Sequence, residues 1–279
     1  MDKDTPGIKP YLCAVKKLLL TWSSAFQSQS EGIAKSAEGL PCCPSFGGAP
    51  WEPATRSVRP LLFAGLSLLI LACLAVWIDH PLSSYMVTHQ LPDVVEEICH
   101  AAEPFGNGLT VVLLLVVIYR LVPYVRPFLP RVAAISLGAG LSATVVKLLI
   151  PRFRPRHFDF ALPIWQTFQA AFDFPERTGA VESFPSGHTA TACGLAIGLS
   201  WLWPEGRVVF WTLAVLVAAQ RVVGGAHFLS DVLAAAALSC FVGAALLSPR
   251  LAGRTFSALE VSLRNRLKDM PSENAEPRE

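Results

Sequence analysis

The sequence predicts an all-α fold, a six-helix transmembrane bundle, and three observations carry that prediction. Of the 279 residues, 52% are hydrophobic and only 16% are charged, against ~25% charged in a typical soluble domain. The apolar residues gather into long runs: Leu61 to Ile78 is eighteen residues without a charge, Leu109 to Tyr119 is solidly apolar, and Ser230 to Ser248 holds one charge, Asp231. Runs of this length suit helices crossing a bilayer core, which takes ~20 residues each.

Taken in order, residues 1–59 read as a cytoplasmic or interfacial N-terminal segment, partly disordered. Tyr11 to Phe26 is apolar enough to lie on a membrane but is interrupted by Lys16 and Lys17 and is too short to span. It lacks an adjoining small-residue cleavage site, so it does not read as a signal peptide. Residues 27–58, rich in Ser, Gly, Pro and Ala, have linker composition. Six candidate spans follow, roughly 61–78, 106–123, 132–150, 187–203, 207–224 and 230–248. Two connections are long: 79–105, whose acidic stretch Asp93 to Glu103 suits a short surface helix, and 151–185, which holds the aromatic segment His157 to Phe174. Residues 60–248 form the membrane domain, and 249–279 form a cytoplasmic tail, amphipathic from Leu251 to Met270 and polar at its end.

Charge gives an orientation. The segments before the first span, between the second and third, between the fourth and fifth, and after the sixth hold most of the Lys and Arg residues, whereas 79–105 holds none and carries Asp79, Asp93, Glu96, Glu97 and Glu103. By the positive-inside tendency both termini are cytoplasmic, and 79–105, 151–185 and 225–229 face outward. Lys147, Arg152, Arg154, Arg156, Arg177 and Arg221 run against that tendency. The net charge of +2 is spread without a nucleic-acid-binding stripe, and no Cys/His spacing suits zinc. Cys73, Cys193 and Cys240 lie inside apolar runs as small hydrophobes; Cys13, Cys42, Cys43 and Cys99 lie outside them, and none is assigned chemistry.

Three polar clusters interrupt the apolar pattern. Pro185-Ser186-Gly187-His188 precedes an apolar run, where Ser186 can cap a helix whose free amides and positive dipole end attract an anion; plain capping is the alternative. Lys147 sits near the end of the third span, either snorkelling to the interface or facing inward, and Pro151 and Pro155 turn the chain so that Lys147 and Arg154 reach one mouth of the bundle. Arg152 and Arg156 read as headgroup contacts on a solvated loop. His227 and Asp231, four apart, allow the carboxylate to accept an imidazole N–H, either as an activated nucleophile or as a structural capping pair.

The order K-x6-R-P (Lys147, Arg154, Pro155), P-S-G-H (Pro185 to His188) and R-x5-H-x3-D (Arg221, His227, Asp231), with 29 and 32 residues between successive motifs, resembles the type 2 phosphatidic acid phosphatase family, which shares its site with vanadium-dependent haloperoxidases. The resemblance covers roughly residues 60–248 and departs at Gln220, where the family usually has Ser. It implies an integral membrane lipid phosphatase in which His227 attacks phosphorus to form a phosphohistidine, Asp231 orients and charges it, and His188 protonates the leaving oxygen and then activates water. Lys147, Arg154, Arg221, Ser186 and the Gly187 amide would hold the non-bridging oxygens, with no metal and no cofactor. Three cations fixed around phosphorus fit the needs of phosphoryl transfer.

A phosphate site at the outer rim suits a headgroup whose tail stays in lipid: phosphatidic acid, phosphatidylglycerophosphate, a polyprenyl pyrophosphate or a lipid A phosphate. Phe158, Phe160, Trp165, Phe168, Phe172 and Phe174 would form either an entry wall for that tail or an interfacial aromatic belt. Partners are then the lipid substrate and the membrane, not nucleic acid. A phosphotransferase passing the phosphoryl group to a second acceptor, and a non-catalytic six-helix membrane protein, are the competing readings; a soluble haloperoxidase is disfavoured by the apolar runs.

Overall fold

The computed structural model describes residues 57–89, 93–169 and 179–269, all within the compact unit Pro53–Glu279. Expectations for residues 1–56, for Phe172, Phe174 and Arg177, and for the polar C-terminal end lie outside the described residues.

Among the described residues, eight α-helices and several short 3-10 turns build the fold, with no strand. The helices are α1 (Arg59–Thr88), α2 (Asp93–Ala102), α3 (Gly108–Leu121), α4 (Leu129–Leu149), α5 (Gly187–Leu202), α6 (Arg207–Val223), α7 (Leu229–Leu247) and α8 (Gly253–Asp269). Each of the six apolar runs is helical. Four segments are long and apolar enough to cross a membrane, Arg59–Thr88, Pro123–Leu149, Pro204–Val223 and Leu229–Leu247, or five if the pair Glu96–Gly106 and Gly108–Leu121, bent by 69°, is one broken span. The chain is an integral membrane protein.

The first span outgrows its expected end. α1 continues through Pro81 to Thr88, so Asp79 is a helical residue and not a loop acid. Its buried positions, Gly65, Ala72, Ala75, Asp79 and Ser83, fall at helical spacing on one stripe that packs against α7. Away from that stripe stand Phe63, Leu66, Leu74 and Trp77, the last 83% exposed, which is the pattern of a helix bathed in lipid.

At the centre lies α5, packed by α4, α6 and α7 and buried from Thr189 through Leu199. Its 16 residues extend ~24 Å at the α-helical rise, short for a span, but neighbours cover it almost completely. Small residues permit that density. A Cβ on Gly194 would lie 2.8 Å from the Ile135 carbonyl oxygen and 2.9 Å from Ser136 Cα, so α4 and α5 touch at backbone distance. Polar groups in this contact are satisfied internally, Ser136 Oγ donating to the Thr191 carbonyl and Ser239 Oγ to that of Ala190.

The expected amphipathic tail is α8. It is tied to the start of α4 by Arg131, whose Nη2 donates to the Gly253 carbonyl, to Ser257 Oγ and to Glu260 Oε2. Burial pushes the Glu260 carboxyl up to about 7, against the pull of Arg131.

Candidate active site

Local folding brings the three motifs to one end of the bundle. After α4 stops at Leu149, Arg152 N–H donates to the Val181 carbonyl, Ser183 N–H to that of Arg152 and Arg154 N–H to that of Ala180. This pairing lays the Arg-bearing segment against the approach to α5. Ser186 is the N-cap of α5: its Oγ accepts from the Thr189 amide at 3.4 Å and from Thr189 Oγ1 at 3.0 Å. The Gly187 and His188 amides have no acceptor inside the helix and so remain available to an anion. Lys147, in the last turn of α4, points there, its Nζ 3.8 Å from where a Cβ of Gly187 would stand.

Arg154 completes this cationic face. Its Nε is buried without a hydrogen-bond partner, and no ion pair among the described residues uses Lys147 or Arg154. Burial and the neighbouring Arg156 charge both lower the guanidinium pKa. A buried donor left open beside a second unpaired cation is costly unless an anion visits.

His227 enters from the turn after α6. Gly225, at φ 59°, supplies the left-handed residue that this turn needs. The Ala226 and His227 amides both return to the Arg221 carbonyl, at 3.1 and 3.0 Å. The imidazole is buried, and its Nδ1 lies 2.6 Å from the Ser183 carbonyl but 3.8 Å from Asp231 Oδ2. The direct His227–Asp231 hydrogen bond expected from their spacing is therefore replaced by one to Ser183. Helix α7 begins only at Leu229, so the i,i+4 geometry does not apply across this pair. Asp231 Oδ2 instead accepts from Ser183 Oγ at 2.5 Å and from the Phe228 amide at 2.9 Å. Ser183, which stands outside the three motifs, thus touches both Asp231 and the imidazole.

Arg152 requires a correction. It is fully buried, not a headgroup contact: Nη1 donates to Asp231 Oδ1 at 2.5 Å and Nη2 to Asp79 Oδ2 at 2.8 Å. The guanidinium also sits over the Phe228 ring, 4.0 Å from its centroid. Two carboxylates inside the bundle explain why a guanidinium is drawn in with them. Arg156 is exposed, as expected.

Arg221 is held from the side of α2. Its Nη2 donates to Glu103 Oε1 at 2.6 Å, and its Nε to Gln220 Oε1. Gln220 is buried and directs its amide oxygen to its neighbour's guanidinium. Glu103, in the turn after α2, was legible only as one acid of a surface stretch. Its backbone neighbourhood is tight, since a Cβ on Gly106 would lie 2.8 Å from the His188 carbonyl oxygen. His188 itself is half-buried on the first turn of α5.

Of the aromatic segment, Phe158 is buried against Phe160, whereas Trp165 is 69% exposed. Phe168 stacks over Arg152 and meets Phe184 edge-on. No group of three His, Cys, Asp or Glu side chains among the described residues is arranged to hold a metal. An apolar groove of about 410 Å³ between α3 and α4, lined by Leu115, Tyr119, Arg126 and Leu263, contains none of these site residues.

Fold and site together define an integral membrane helical bundle with a cationic, two-histidine pocket at one end. Residues 128–250, which hold all three motifs, match the PAP2 superfamily. Among curated proteins the chain is similar to the lipid A 1-phosphatase of Rhizobium johnstonii, 37% identical over 106 residues that make up 37% of this chain and 40% of that protein. The lipid A 1-phosphatase of Rhizobium etli is 38% identical over 99 residues, 34% of this chain and 39% of that protein. The match thus spans about two fifths of the length of these relatives. Two solved structures are also similar: Aquifex aeolicus LpxE, at 20% identity and a TM-score of 0.41 over 60% of this chain and 92% of that one, and a transmembrane PAP2-type phosphatidylglycerolphosphate phosphatase from Bacillus subtilis, at 19% identity and a TM-score of 0.42 over 75% and 100%.

Proposed function

We propose that the protein is a metal-independent lipid phosphate phosphatase working through a phosphohistidine on His227, with residues 60–248 as the catalytic membrane domain. The observation that carries this reading is the meeting of two unpaired cations, Lys147 and Arg154, with the amide end of α5 beside His227 and His188. The Ser183 carbonyl takes the Nδ1 proton and leaves the Nε2 lone pair for attack.

In the first step Nε2 bonds to phosphorus as the bond to the leaving oxygen breaks, and His188 gives that oxygen its proton. In the second, His188 takes a proton from water, whose oxygen bonds to phosphorus as the P–N bond breaks. Lys147, Arg154, Arg221, Ser186 and the Gly187 amide hold the three non-bridging oxygens, and Asp231 supports positive charge on His227. Of the substrate classes that suit the site, the similarity to lipid A 1-phosphatases favours a phosphate on a lipid-linked sugar. The positive-inside tendency supports cytoplasmic termini and a site at the outer face.

Purified full-length protein screened against lipid A 1-phosphate, phosphatidic acid, phosphatidylglycerophosphate and a polyprenyl pyrophosphate tests the proposal. Wild type is expected to release phosphate from at least one of them in EDTA, to be blocked by vanadate, and to lose turnover in both His227→Ala and His188→Ala. Activity that survives in His227→Ala, or that depends on added Mg²⁺, overturns the mechanism.

A further inference from the structure

We propose that Asp79 and Arg152 are positioning residues for the nucleophile, forming with Asp231 a buried row of charges from α1 to α7 that sets the basicity of His227. The inference rests on His227 being the nucleophile. Every guanidinium nitrogen of Arg152 is engaged within this row and its surroundings: Nε to Thr167 Oγ1 at 3.1 Å, Nη1 to Ser230 Oγ at 2.7 Å and Asp231 Oδ1 at 2.5 Å, and Nη2 to Asp79 Oδ2 at 2.8 Å. Asp79 is anchored in turn by the Ser230 amide at 3.0 Å and the Ser230 hydroxyl at 2.5 Å. Asp79, Arg152 and Asp231 are all fully buried.

Packing alone does not call for this arrangement. Helices α1 and α7 already meet through apolar contacts such as Gly65 against Phe241, and a buried ionic triad holds a fold no better than hydrophobic residues of the same shape. What the triad has that hydrophobic residues lack is charge at a fixed place. One guanidinium shared by two carboxylates leaves a formal charge of minus one behind the imidazole, and its Asp231 member stands 3.8 Å from His227 Nδ1. The other charged or titratable groups around His227 among the described residues are Lys147 on α4, Arg154 on the segment after it and His188 on α5, with Glu182 near both cations and Arg221 and Glu103 near His188. Those cations oppose protonation of the imidazole and positive charge on a phosphohistidine, and the row offsets them.

Asp79 is the member furthest from the chemistry, so it is the one to change. Asp79→Asn keeps shape and a hydrogen-bonding oxygen but commits the Arg152 charge to Asp231, taking the row from minus one to zero. His227 then becomes less basic. Adding Arg152→Gln removes the guanidinium charge and returns the row to minus one. A structural role predicts additive damage in the double variant; a charge-setting role predicts recovery.

The test measures phosphate release by full-length protein in detergent as a function of pH, with KM for the lipid determined at each pH. Asp79→Asn is expected to move the acid limb of kcat down by ~1 unit, the size of effect a nearby buried charge has, with KM changed less than ~2-fold. The Asp79→Asn/Arg152→Gln variant is expected to bring that limb at least halfway back. If Asp79→Asn is not recovered folded, Ser183→Ala replaces it: Asp231 loses a donor, its charge is less neutralised, and the limb is expected to move up. A limb that stays in place, or a double variant displaced further in the same direction, overturns the inference while leaving an active phosphatase. A wild type that releases no phosphate from any lipid fails the function itself and the inference with it.

Discussion

The Ser183 carbonyl, 2.6 Å from His227 Nδ1, decides which imidazole nitrogen is free. It also makes the nitrogen proposed to attack phosphorus sensitive to acid, because protonating Nε2 removes the lone pair. Burial holds His227 below the ordinary histidine range; Asp231 pulls it up, and Lys147 and Arg154 push it further down. The acid limb of kcat/KM, which reports the free enzyme, should therefore lie below ~6.5, and a limb above that value contradicts the burial argument. Arg154 invites a separate prediction. Its buried Nε has no partner, so the group is held ready for an anion that arrives with the substrate. Arg154→Gln should lower kcat by ~10²- to 10³-fold, the scale of losing one fixed donor to a developing oxyanion, with little change in thermal stability. A loss of stability matching the loss of rate would assign Arg154 to the fold instead.

At the scale of elements, α5 combines two demands. Its N-terminal amides have to be open to an anion while the rest of the helix is enclosed by α4, α6 and α7. Gly194 makes the enclosure feasible, because a side chain there meets the α4 backbone at 2.8 and 2.9 Å. Gly194→Val should lower stability by ~1–3 kcal/mol or more through overpacking, read as a fall in the midpoint of thermal unfolding in detergent; an unchanged midpoint would mean that α4 can yield. The helices themselves were legible in the sequence because lipid demands long apolar runs, and the motif residues were legible because their types and spacing are specific. Ser183, Asp79, Arg152 and Glu103 were not. By sequence Asp79 is a loop acid, because the uncharged apolar run stops at Ile78, yet α1 carries on past Pro81. Arg152 stands two residues before Arg154 in the same basic stretch, and only the backbone pairing with residues 181–183 shows that one arginine turns into the bundle between carboxylates while the other faces the pocket. Ser183 acts through a backbone carbonyl, a role that carries no side-chain signature.

For the whole molecule, the two ends of the bundle carry different chemistry. Lys147, His188 and His227 stand at the end where α4 finishes and α5 and α7 begin. Arg131 and α8, with Arg254, Arg264 and Arg266, mark the end where α4 begins and α7 finishes. Charge density of one sign in short segments near helix ends favours the cytoplasmic side, which is the basis for proposing that the α8 end lies inside and the site outside. Four of the six exceptions to that tendency are placed: Lys147, Arg154 and Arg221 at the pocket, and Arg152 neutralised by two carboxylates in the interior. Charges bound to function or compensated by partners do not set orientation as free loop charges do. Trp165, 69% exposed in the connection beside the site, and Leu251, 62% exposed before α8, offer reporters of the two ends. In intact cells, a membrane-impermeant thiol reagent should label Trp165→Cys above the background of the parent protein. Leu251→Cys should be labelled only after the membrane is opened. The reverse pattern would turn the molecule over, placing the pocket on the cytoplasmic side and limiting its substrates to lipid phosphates of the inner leaflet.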